Sequence, residues 1–203
     1  MHRWKMAGTA GLLMLIVAAC SDSAGTSATP TPTPTPVATP SSSGLVIPSI
    51  GNSDLELEKL IPDSVDGVTL QKFSMKGNEF IASASSSAET KAFLDALGVS
   101  PEDVAVAFGY GADPSSQSAV AVFVFHAQGA GSDKLITVFK KAADEGSTTY
   151  TWQAGNVGGK AVQIGTNPAS ANAKIYLYAT NDDLFFVSTS TEAQATEVLG
   201  NLP

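Results

Sequence analysis

Residues able to do chemistry are scarce in this chain. It holds one cysteine, Cys20, and two histidines, of which only His126 falls in the part that reads as a folded domain. A histidine acting as a general base needs a nucleophile to deprotonate and a carboxylate to orient it. His126 ends an apolar run with no such motif beside it, so it is read as structural. One histidine and no cysteine in the domain leave a zinc site without ligands. Glu102-Asp103 and Asp182-Asp183 are paired carboxylates. The first pair follows Ser100-Pro101, where acidic side chains suit a helical first turn, and the second falls at a hairpin tip. Neither has the spaced Asp/Asn/Gly loop of a calcium site, so both are read as solvated turn features. Gly155-Asn156-Val157-Gly158-Gly159-Lys160 has the glycines and lysine of a phosphate loop. However, Ala154 stands where the first glycine of that motif belongs, and Ala161 replaces its Ser or Thr; the segment reads as a hairpin turn. Gly109-Tyr110-Gly111 and Trp152 offer aromatic contacts, although Trp152 is expected in a core. No catalytic residues, metal or cofactor are expected, and the chain does not read as an enzyme.

Cys20 is different, because its neighbours give it a role. His2-Arg3-Trp4-Lys5 is a short basic start, and Met6 to Ala19 is an apolar stretch of 14 residues broken only by Thr9. That length is short for a membrane span of roughly 30 Å and fits a signal-peptide apolar region. The basic end directs the rest outward. Val17-Ala18-Ala19-Cys20 resembles the lipobox of bacterial lipoproteins, with Val17 where leucine is commoner. The resemblance implies cleavage between Ala19 and Cys20. It also implies a diacylglyceryl group with acyl chains such as palmitate on the thiol, and Cys20 as the first residue of the mature chain. Two or three acyl chains, at about 0.8 kcal/mol per buried methylene, would anchor the protein stably. The alternative is an ordinary secretory signal cut nearby, releasing a soluble protein.

The charge balance narrows the partners. Lys and Arg total 11 and Asp and Glu 19, and Arg3 and Lys5 lie in the leader, so the chain after Ala19 carries 9 minus 19, or −10, and no arginine. Phosphate-rich surfaces are held by clustered Lys and Arg, so nucleic-acid binding is not expected. An acidic body is repelled by anionic headgroups, which leaves membrane attachment to the lipid anchor. A single cysteine gives no internal disulfide, and the core must stand alone.

The elements that must carry these residues divide the chain into a signal peptide at 1–19, a disordered linker with the lipidated cysteine at 20–50, and one globular domain at 51–203. Thr29-Pro30 repeats through Thr35-Pro36, and Thr39-Pro40 follows. Proline removes donors and fixes φ, so this run should sample extended polyproline II at roughly 3 Å per residue and hold the domain off the bilayer. In the domain, Ser53-Asp54-Leu55-Glu56 and Ser86-Ser87-Ala88-Glu89 are capping-box patterns. The first opens a helix bearing Leu57, Leu60 and Ile61. The second opens one to Leu97 with Ala92, Phe93, Ala96 and Leu97 as its stripe. Further helices are expected from Ser132 to Gly146 and from Thr191, the latter with Ala195, Val198, Leu199 and Leu202 on one face. Ala119 to Phe125 reads as a central strand covered on both faces, preceded by a strand from Val104 to Tyr110. Ile175–Thr180 and Leu184–Thr189 flank Asn181-Asp182-Asp183 as a hairpin, and Thr148–Gln153 and Lys160–Ile164 flank Gly155-Asn156 as another. Val68–Met75 and Phe80–Ser83 are weaker strands.

These elements predict an α+β domain, with a largely antiparallel sheet and amphipathic helices packed on one face. Val65-Asp66-Gly67-Val68 and Val157-Gly158-Gly159-Lys160 echo one another, a hint of internal duplication. From Leu60 onward the chain resembles domains of unknown function in lipoproteins of Gram-positive and related bacteria. The resemblance rests on Leu60-Ile61-Pro62-Asp63, the Leu-Gly-x-x-Pro-Glu-Asp-Val segment at 97–104 and the Val157-Gly158-Gly159-Lys160 turn, which are structural motifs and imply no chemistry. The functional expectation is a lipid-anchored extracytoplasmic binding or interaction module at the cell membrane, with an unknown protein or small molecule as partner. The alternative is a carrier of a small apolar ligand.

Overall fold

Val and Phe dominate the middle of the chain at consecutive positions, and a strand of that kind needs cover on both its faces. The computed structural model describes residues 54–84, 87–145, 149–168 and 170–203. The expected leader, Cys20 and the Thr-Pro run lie outside the described residues, as do Ser53 and Ser86 of the two expected capping boxes, Gly146 and Thr148. In order, the elements are α1 (Leu55–Glu58), β1 (Ser64–Val65), β2 (Val68–Thr69), β3 (Gln71–Lys76), α2 (Gly77–Ser83), α3 (Ser87–Leu97), a 3-10 turn (Pro101–Asp103), β4 (Val104–Asp113) and β5 (Ser118–Ala127). There follow α4 (Ser132–Glu145), β6 (Thr151–Val157), β7 (Lys160–Asn167), β8 (Ser170–Thr180), β9 (Asp183–Thr189) and α5 (Glu192–Asn201). Seven strands form one sheet in the order β3-β4-β5-β9-β8-β7-β6, and β1 and β2 form a separate small ribbon. Every pairing is antiparallel. The chain is an α+β domain with an antiparallel sheet, as its hairpin signals require.

The helices do not share one face, and that expectation is corrected. Ala105 and Ala107 of β4, Val120, Val122 and Val124 of β5, and Phe185 and Val187 of β9 pack with Leu57, Ile61 and Val65 and with Ala195, Val198 and Leu199 of α5. Their strand neighbours Val104, Val106, Phe125 and Leu184 pack on the opposite side with Leu94 and Leu97 of α3 and Leu135 of α4. Alternate residues of a strand point to opposite faces. A strand apolar at successive positions therefore exposes a greasy surface on either side unless both are roofed. The second face is filled largely by rings: Phe93, Phe123, Phe125, Phe139 and Phe186 meet in edge or tilted contacts.

Three local readings also change. Phe80–Ser83 is helical, within α2. Its Phe80 and Ile81 pack into the aromatic face, and that tertiary burial overrides their strand preference. The buried face of α3 is Thr90, Leu94 and Leu97, while Ala92 and Ala96 are exposed. The larger Leu94 pulls the helix round, because an alanine stripe buries less apolar area. The hairpin between β6 and β7 turns at Gly158-Gly159, not at Gly155-Asn156. Both turn glycines have positive φ, at 59° and 79°, which is the type I′ geometry that matches strand twist. Gly155 lies inside β6, where a Cβ would sit 2.7 Å from Ile164 Cδ1. Asp66 and Gly67 form the equivalent turn, with φ of 50° and 77°, so the echo between the two segments is a shared turn. It does not extend to a repeated arrangement: α4 and α5, the helices that close the two halves, lie on opposite faces of the sheet.

Candidate functional site

His126 stands at the end of β5, directly opposite Asp183 on β9. Its Nδ1 is 2.7 Å from Asp183 Oδ1. The bond to this carboxylate raises the pKa of the imidazole above the ordinary 6.5, with the charges of Asp183, Asp182 and Asp54 adding to it against partial burial. Asp182 accepts from Gly131 N at 3.2 Å. Backbone N–H groups of Gly129 and then Gly131 hold its carboxylate below the usual range. Ala127 N donates to Asp182 O at 2.9 Å. The reading of Asp182-Asp183 as solvated turn carboxylates is therefore corrected. A two-residue hairpin turn, with Asn181 at a φ of 52°, carries Asp182 back onto the β5–α4 connection and Asp183 against His126 of β5. Among the described residues no hydroxyl or thiol hydrogen-bonds to the ring, so the geometry is that of a braced imidazole tying the end of β5 to the start of β9.

The other sequence candidates are placed as follows. Glu102 and Asp103 lie in the 3-10 turn, where Asp103 and Ser100 form a capping box, as their position predicts. Among the described residues no group of three or more His, Cys, Asp or Glu is placed to hold a metal ion. Lys160 follows the Gly158-Gly159 turn as the first residue of β7. Its ammonium donates to Pro203 O at 2.8 Å and lies 5.3 Å from the centre of the Tyr178 ring. Trp152 is half-buried against Gly165. Its indole N–H donates to Asp144 Oδ1 at 3.1 Å, and Lys140 stands over the ring at 5.4 Å. Tyr110 is exposed, while Gly109 beside it leaves room for Ile61. Cys20 and Ala19 lie outside the described residues.

Two features escaped the sequence. A surface cleft of about 380 Å³ is lined by Leu55, Glu58, Lys59, Asp63 and Lys72. Four of these five carry charge, which suits an apolar ligand poorly. The second is strand β6. Among the described residues it is a terminal strand of the sheet, bonded only to β7, and its sequence Thr-Trp-Gln-Ala-Gly-Asn-Val has no charged residue and no proline. The signal was present in that composition, but edge position depends on strand order, which hydrophobic periodicity does not report. Comparison of the chain with protein-family profiles, with curated proteins and with solved structures finds no match in any of the three. Among the described residues no helix is long and apolar enough to cross a membrane.

Proposed function

We propose that the protein is a lipid-anchored extracytoplasmic interaction module, held at the cell membrane by acyl chains on Cys20. The observation that carries this reading is the chain's one cysteine placed directly after Val17-Ala18-Ala19, at the end of a 14-residue apolar stretch with a basic start. The length is that of an export leader, and the small residues before the thiol suit cleavage there. The interaction half of the reading is supported by the domain's surface, which presents the aromatic side chain of Tyr110 and an uncharged strand edge at β6. The paired carboxylates serve turns and struts.

Growth with labelled palmitate tests the anchor. The wild-type chain should take up label and sediment with membranes, and Cys20→Ser should lose both properties. An unlabelled wild type together with a membrane-bound Cys20→Ser form would end this reading. Native mass spectrometry of the isolated protein addresses the second half: a tightly retained apolar molecule would replace the interaction module with a carrier.

A further inference from the structure

Strand β6 has a definite outward pattern. A two-residue type I′ hairpin closes on a pair that exchanges both of its N–H···O bonds, and here that pair is Val157 and Lys160. Counting back in steps of two, Gly155, Gln153 and Thr151 also bond to β7. Trp152, Ala154 and Asn156 therefore aim their N–H and C=O groups away from β7, along an edge that no other described strand pairs with. Ala154 and Asn156 are exposed and Trp152 half-buried.

We infer that β6 is a self-association edge, and that its partner is a second copy of this chain paired antiparallel through the same strand. The outward set is symmetric about Ala154. A two-fold axis through that residue sets Trp152 opposite Asn156 of the partner subunit and Ala154 opposite its own equivalent. Each such pair exchanges two backbone hydrogen bonds, and an isologous contact of this kind is what a two-fold dimer requires. The smallest side chain of the three sits on the axis. The charge pattern favours the same occupant. The protein is acidic, at −8 overall, so two copies repel except along a line that brings no like charges opposite one another, and β6 is uncharged along its whole length. Growth stops at two copies, because pairing β6 with β6 leaves β3 at both outer ends of the joined sheet. β3 carries Lys72 and Lys76 and runs straight into α2, features that block further edge pairing. The inference is independent of the lipid anchor.

The test uses the full chain in mild detergent with Cys20→Ser, so that an introduced cysteine is the only thiol. Residues paired in this register have Cα atoms about 5.5 Å apart, within reach of a disulfide. Ala154→Cys should oxidise to a covalent dimer. Thr151→Cys should not, because its equivalent lies at the far end of the paired strands. Ala154→Lys, which sets two ammonium groups at the axis, should abolish the dimer seen by sedimentation while leaving the circular dichroism and thermal melt of the monomer unchanged. A wild-type chain that sediments as a monomer, equal cross-linking at 151 and 154, or a dimer undiminished by Ala154→Lys would each overturn the inference.

Discussion

The sheet has two ends, and they are finished differently. At β3 the strand's own side chains are tied to the segment that precedes it. Asp54 N donates to Ser74 Oγ at 2.7 Å, and that hydroxyl donates to Glu58 at 2.6 Å. Lys72 reaches Ile61 O at 2.7 Å and Asp63 at 2.6 Å. Helices α1 and α2 both pack against β3 and β4, one on each face of the sheet. At β6 the contacts come from side chains of neighbouring helices, such as Asp144 on Trp152, and the strand itself offers neither charge nor proline to a newcomer. Natural sheets usually blunt both ends, because a bare row of N–H and C=O groups templates further pairing. Among the described residues, β3 carries two lysines and β6 neither charge nor proline, and this difference is what the self-association inference rests on.

Four measurements probe the two ends and one the centre between them, and they are expected to differ in size. Ile61 is 1 % exposed and fills the space above Gly109 at the guarded end. Ile61→Ala should cost about 2–5 kcal/mol in urea unfolding, and a cost near zero would mean that α1 and the loop after it are not part of the core. Gly111 lies in β4 where a Cβ would come within 2.4 Å of Thr69 O. Gly111→Ala should therefore force the β1–β2 ribbon off the sheet, at about 1–3 kcal/mol, read as a lowered melting temperature. Thr191 caps α5 by accepting from Gln194 N at 3.2 Å, and α5 roofs the half of the sheet that ends in β6. Thr191→Ala should cost about 1 kcal/mol; a much larger loss would show that the open end depends on α5 for more than cover.

The fourth measurement probes the centre of the sheet, away from both ends. His126 is stabilised as imidazolium in the folded protein. Its contribution is complete below the unfolded value of about 6.5 and is lost as the pH rises through the raised folded value. The side chain is 39 % exposed, so solvent screening holds the effect under about 1 kcal/mol. A pH series on wild type and His126→Gln should show stability differing between the two at pH 5 and converging toward pH 9; parallel curves would remove the strut. The smallest effect is at the bare end itself. Gln153 is exposed on β6, and Gln153→Lys should leave unfolding within about 0.5 kcal/mol of wild type.

Much of this architecture could be read from residue types. The Thr191 capping box, the stripe of Ala195, Val198, Leu199 and Leu202, and the β8–β9 hairpin all follow from local rules that involve neighbours a few residues apart. Local rules failed where distant packing decided the outcome. Phe80 and Ile81 look like strand residues and lie in a helix because the aromatic face needs them. The two-sided cover of the sheet was implied by the Val120–Phe125 run, yet it required the strand order to be seen. The pairing of His126 with Asp183 joins residues 57 apart in sequence, and nothing near either one announces the other. The bareness of β6 was legible as composition, but an uncharged strand is unremarkable until it is found at an edge.

The middle of the sheet is the join between β5 and β9, from Val120 against Thr189 to His126 against Asp183. Closing so long a loop is slow, and no contact across it forms until both sides exist. A chain emerging from the ribosome thus keeps β5 open along one side until all but its final helix has been synthesised. The two halves of the sheet therefore join late, after β3, β4 and β5 are already available to pair with one another.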